Sequence, residues 1–143
     1  MESAVRDAIF KAVETEPFAR QFKIRLVRLN DGYSEVEMTY EPERMDNIYR
    51  RAHGGAIFAL IDEAFETAGQ TDGTIAVALN VNVTYISSPK AGARLRATAR
   101  LIGQSKKTAS YEISVTDLDE NIIATCQALA YRTGKQIPFL ERR

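Results

Sequence analysis

Apolar and polar positions along this chain follow two periods, and the switches between them mark out its elements. Val5, Ala8, Ile9, Ala12 and Val13 recur at helical spacing within residues 2–14, and Pro17 closes that region. Ile24 to Leu29 and Tyr33 to Tyr40 read as two strands joined at Asn30-Asp31-Gly32, a tight-turn signal. Residues 41–52 are polar, contain Pro42 and read as a loop. From about Gly54 to Gly69 the helical period returns. Ile57, Leu60, Ile61, Ala64, Phe65 and Ala68 fall on one face at roughly 100° per residue. The period then drops to two. Val77, Leu79, Val81, Val83 and Tyr85 alternate with Ala78, Asn80, Asn82 and Thr84 until Ser88-Pro89-Lys90-Ala91-Gly92 breaks the run. Three more strands follow: Arg94 to Ile102, one marked by Tyr111, Ile113 and Val115, and Ile122 to Arg132. Turns at Gly103-Gln104-Ser105 and Asp119-Glu120-Asn121 separate them.

One long helix beside a run of antiparallel strands predicts an α+β fold with the sheet wrapped around the helix. An open sheet of this kind has exposed edges. Pairing them across a two-fold axis predicts at least a dimer. Without linkers, repeats or low-complexity segments, residues 1–143 read as one domain: a helical segment 1–23, a core 24–133 and a tail 134–143.

Composition narrows the function classes. At 45% hydrophobic and 27% charged residues, the chain is globular rather than disordered. Nineteen basic residues balance nineteen acidic ones, so no general attraction to nucleic acid is expected. A single cysteine, Cys126, rules out an intrachain disulfide and a thiolate cluster for zinc, and its apolar surroundings read as core. No metal or nucleotide motif is expected. Residues 1–14 contain acids and lack a continuous apolar run, and no stretch is long enough for a bilayer. The expectation is a cytoplasmic protein with no membrane partner.

The candidate chemistry sits where the second helix begins. The only histidine, His53, precedes Gly54 and Gly55, and Asp62 lies further along the same helix. A glycine pair at a helix start lets another molecule approach N–H groups that have no intrahelical partner. The helix dipole suits those groups to a developing negative oxygen. Asp62 falls on the flank of the apolar face, where partial desolvation tunes a carboxyl group. The plainer reading makes Asp62, Glu63 and Glu66 the wet side of an amphipathic helix.

The pattern His53-Gly54-Gly55, six more residues, then Asp62 resembles the signature of hotdog-fold acyl-CoA thioesterases of the phenylacetic-acid-degradation (PaaI-like) type. Asn47, six residues before His53, matches a further position of that family, and the resemblance extends over roughly Ile24 to Thr133. It implies a hotdog fold, hydrolysis of an acyl-CoA thioester, and no cofactor beyond the coenzyme A carried by the substrate. It also implies a homodimer or tetramer (a dimer of dimers) with sites between subunits. On this view the Gly55 N–H receives the thioester oxygen, Asp62 acts as general base or nucleophile, and Asn47 orients water or thioester. His53 supports the loop rather than doing the chemistry.

For the substrate, Gly54, Phe58, Phe65 and Asn80 are expected at the groove, with Met45 and Tyr49 as further pocket walls. Ser105, Lys106 and Lys107 are expected near the phosphates, with Lys90, Arg94, Arg50 and Arg51 as other cationic choices. Some relatives carry a hydroxyl early in the strand after the helix, where this chain has Ala78. A hotdog enoyl hydratase or dehydratase and a noncatalytic acyl-CoA-binding module are the alternative functions.

Overall fold

The computed structural model describes residues 1–140, and its elements follow the order the hydrophobic periods predict. They are α1 (Ser3–Thr15), α2 (Pro17–Phe22), β1 (Arg25–Asn30), β2 (Tyr33–Thr39), α3 (Pro42–Met45), α4 (Gly54–Gly69), β3 (Thr74–Tyr85), β4 (Arg94–Gln104), β5 (Thr108–Asp117) and β6 (Ile122–Gln136). The strands form one antiparallel sheet in the order β1-β2-β4-β5-β6-β3. α4 lies along its inner face. Ile57, Leu60, Ile61, Ala64, Phe65 and Ala68 are all buried there, as their spacing requires. They pack on Val36, Leu95, Ala97, Ile113, Val115 and Cys126 from the strands. This is the α+β hotdog arrangement.

Several boundaries move for local reasons. Pro17 begins a second helix instead of ending the region, because at the first helical position its missing N–H costs nothing. Residues 41–52 contain the short α3 and an antiparallel bridge from Asp46 to Ala52. The last strand continues to Gln136, and Ile137 is buried with Val5, Ile9 and Leu29. The expected tail is thus partly strand and core; its residues 141–143 lie outside the described ones. At the β1–β2 turn, Gly32 has a φ of +61°, and a Cβ there would stand 2.7 Å from the Leu101 Cβ, so the turn requires glycine.

The strand after α4 departs most from simple alternation. Ala78 pairs with Ala130, but Asn80 pairs with Leu129, so a bulge at Leu79 reverses the faces. Val77 and Leu79 are consequently exposed rather than on one inner face with Val81 and Val83. Ala76 and Ala78, together with Val77, line the space beside α4.

Candidate active site

The loop that delivers α4 is held by its backbone and two side chains. His53 N–H donates to Met45 O at 2.7 Å, and Asn47 N–H donates to Arg51 O at 2.7 Å. The Asn47 side-chain oxygen accepts the N–H groups of Tyr49 (2.9 Å) and Arg51 (3.1 Å), which curls the loop around it. The Tyr40 hydroxyl donates to Asp46, and burial together with that carboxylate pushes the phenol up to about 12.

His53 occupies the N-cap position of α4, and its Nδ1 accepts the Gly55 N–H at 2.8 Å. A histidine can thus do the work usually left to Ser, Asp or Asn, leaving fewer orphan donors at the helix start. The Gly55 N–H, expected to receive the substrate oxygen, is therefore already engaged. Gly54, one residue earlier and half-buried, has an N–H with no partner among the described residues. The Tyr85 hydroxyl donates to Gly54 O at 3.0 Å, and a Cβ on Gly54 would meet that ring at 3.2 Å. Tyr85 was not legible as a site residue, since only the folded sheet brings the end of β3 to the start of α4.

Asp62 lies on a cavity of about 440 Å³ lined also by Glu16, Phe18, Phe65, Glu66, Ala76, Val77 and Ala78. The small side chains of β3 leave the opening, and half-burial raises the Asp62 carboxyl above its ordinary value. Glu66, on the open side of the cavity, is pushed up to about 7, first by desolvation against the cavity wall and then by the charges of Glu16 and Asp62. Glu63 is not on a wet face. It is 2% exposed, and burial first, then the Glu16 carboxyl beside it, holds it well above the carboxylate range. The neighbouring charges that raise Glu63 are those of other carboxyl groups: Glu16, Glu66 and Asp62.

Other expected residues divide. Phe65 lines the cavity; Phe58, half-buried, does not. Met45 is buried in the core and Tyr49 is exposed at the loop tip, so neither forms a wall of this cavity. Asn80, paired with Leu129 beyond the bulge, accepts a hydrogen bond from the Asn82 amide and stays outside the cavity. Ala78 does line it and brings no hydroxyl. Ser105 caps the β4–β5 turn by accepting the Lys107 and Thr108 N–H groups, and Lys106 and Lys107 are exposed on that turn. Thr108 and Val77 both pair with Tyr131, so this turn stands at the cavity end of the sheet. Arg94 is paired with Glu37 on β2, while Arg51 borders a shallow depression with Gly54, Ile57 and Tyr85. The Cys126 thiol is buried, and that burial pushes it up to about 11, which suits a core residue rather than a nucleophile.

The comparison with family models matches residues 49–124, just over half of the chain, to the Thioesterase superfamily. The chain belongs to that superfamily. Membership makes it a thioester-hydrolysing enzyme, and the matched segment runs from the Asn47 loop through α4 into β6. A putative esterase from Archaeoglobus fulgidus is 30% identical over 138 residues, covering 96% of this thioesterase and 87% of the relative. The acyl-coenzyme A thioesterase PaaI of Escherichia coli is 29% identical over 124 residues, with 87% and 88% covered. The solved structure of that E. coli protein, from its phenylacetic acid degradation operon, superposes with a TM-score of 0.88 at 28% identity, covering 94% and 96%. A Streptococcus mutans protein solved with acetyl-CoA bound has a TM-score of 0.74 at 26% identity, covering 80% of this chain and 91% of its own. Among the described residues no helix is long and apolar enough to cross a membrane.

Proposed function

We propose that this thioesterase hydrolyses acyl-CoA thioesters at a site assembled from two copies of the chain. The observation that carries the reading is the half-buried Asp62 carboxyl facing a cavity eight residues after a glycine whose N–H is unpartnered. Hydrolysis of a thioester needs an electrophilic donor for the carbonyl oxygen and a base or nucleophile beside the carbon. α4 carries both. A helix rises about 1.5 Å per residue, so Gly54 and Asp62 of one chain are roughly 12 Å apart along it, too far to serve one carbonyl. A second copy resolves this. β3 is an open edge, and antiparallel pairing of two β3 strands sets two α4 helices side by side in opposite directions. Gly54 of one chain can then face Asp62 of the other.

In that arrangement the Gly54 N–H receives the carbonyl oxygen, and the Gly55 N–H joins it only if His53 releases its bond. Asp62 activates water or attacks the carbonyl directly, and the departing thiolate needs little help from an acid. The free amide of Asn47 orients water or thioester. Phe65 and the Ala76–Ala78 wall shape the acyl pocket, and Lys106 and Lys107 stand at the sheet end where coenzyme A phosphates can approach. The acetyl-CoA complex of the S. mutans relative and the name of the E. coli relative support this substrate class.

The test is thiol release from acyl-CoAs ranging from acetyl through aryl-acetyl to long chains. Mixing Asp62→Asn with Gly54→Val then examines the shared site. Each variant alone should be inactive, whereas a 1:1 mixture after subunit exchange should recover about a quarter of wild-type activity, because half of its dimers are heterodimers and each of these has one of its two sites intact. No recovery after exchange of subunits would argue for a site within one chain.

A further inference from the structure

Glu16, at the joint between α1 and α2, meets Glu63 and Glu66 of α4, and the proposed hydrolysis has no use for the buried member of this trio. One carboxylate oxygen from each lies within 4.8 Å of the others. Ligand oxygens around Mg²⁺, Mn²⁺ or Ca²⁺ stand about 2.0–2.6 Å from the ion, hence at most about twice that from one another. The spacing fits. An independent observation points the same way: Glu63, whose carboxylate joins the cluster, is 2% exposed, and its Oε1 has no hydrogen-bond partner among the described residues. A buried polar oxygen without a partner is costly, and native folds rarely leave one. Glu63 and Glu66 are three residues apart on one helix, where like charges repel unless something between them is positive. Glu16 arrives from a segment nearly fifty residues earlier, so the three converge only in the fold.

We propose that Glu16, Glu63 and Glu66 bind a hard divalent cation of the Mg²⁺, Mn²⁺ or Ca²⁺ class, which clips the α1–α2 joint to the central helix. An all-carboxylate donor set selects such ions over soft ones. Water completes the coordination from the cavity, because Glu16 and Glu66 both line it. The site adds to the thioester chemistry and does not depend on it.

Titrating chelator-treated protein with Mn²⁺, followed by the electron paramagnetic resonance of free Mn²⁺, tests this, with Mg²⁺ and Ca²⁺ as competitors. One saturable ion per chain is expected, together with a rise in Tm. Glu63→Gln should abolish binding. Glu66→Gln, at an exposed position that leaves the core untouched, should weaken it about tenfold or more. Lack of saturable binding to the wild type at millimolar ion overturns the proposal, as does undiminished binding by a folded Glu66→Gln variant. The readout uses no substrate, so its failure is distinct from failure of the thioesterase reading.

Discussion

The two edges of the sheet solve the same problem in opposite ways. β1 spans only six residues, is broken by a bulge between Leu26 and Arg28, and carries Arg25 and Arg28. Those arginines pair with Glu37 (3.4 Å) and Glu35 (3.6 Å) on β2, and α1 closes over the strand through Val5 and Ile9 against Leu29. Short length, a bulge, charge and a covering helix each blunt an edge. β3 spans twelve residues with no charge, glycine or proline, and leaves Val77, Leu79 and Tyr85 exposed. An edge of that kind invites another strand. The proposed chemistry sits on the inviting side, against the strand that a second copy can reach.

The sharpest way to break this comparison is to remove the acid on the β3 side. Asp62→Asn should keep the fold and lower turnover by about 10²–10⁴-fold in a thiol-release assay. Charging the open edge comes next. Val77→Lys with Leu79→Lys should shift the protein to monomer by light scattering and cost about 10²–10³-fold in turnover, the scale of losing an oxyanion donor. The matching change on the blunted edge, Val27→Lys at the bulge, should leave oligomer size and turnover alone and move stability by no more than about 0.5 kcal/mol. Leu29→Ala attacks the cover over β1 instead. It should cost about 2–5 kcal/mol in denaturant unfolding because Leu29 is fully buried, while oligomer size is unchanged. The smallest effect belongs to the helix cap. His53→Ala should cost about 1 kcal/mol, and turnover should stay within about tenfold of wild type, since a cap and not a base is removed.

Much of the architecture was readable because short-range rules govern it. The Asp31-Gly32 turn, the six buried positions of α4 and the strand order in sequence depend on backbone geometry and period alone. The bulge at Leu79 was not readable. Val77 to Tyr85 alternates without a break, and only pairing with β6 shows that one residue is extra. That single residue moved Ala78 into the cavity and kept Asn80 out of it. The capping role of His53 did carry a signal, a polar side chain just before a helix start, which a catalytic reading of the histidine obscures.

By itself the sequence determined the elements, the long helix and the placement of His53, two glycines and Asp62 along it, because each follows from neighbours within a few residues. Tertiary structure decided which N–H group stays free, which face of β3 meets the helix and which edge stays open. It also decided that Glu63, one residue from Asp62 and equally polar in sequence, is buried against Glu16 while Asp62 faces the cavity. The physical reason is that desolvation and strand pairing are set by groups distant along the chain, and a residue's own period cannot report what is folded against it.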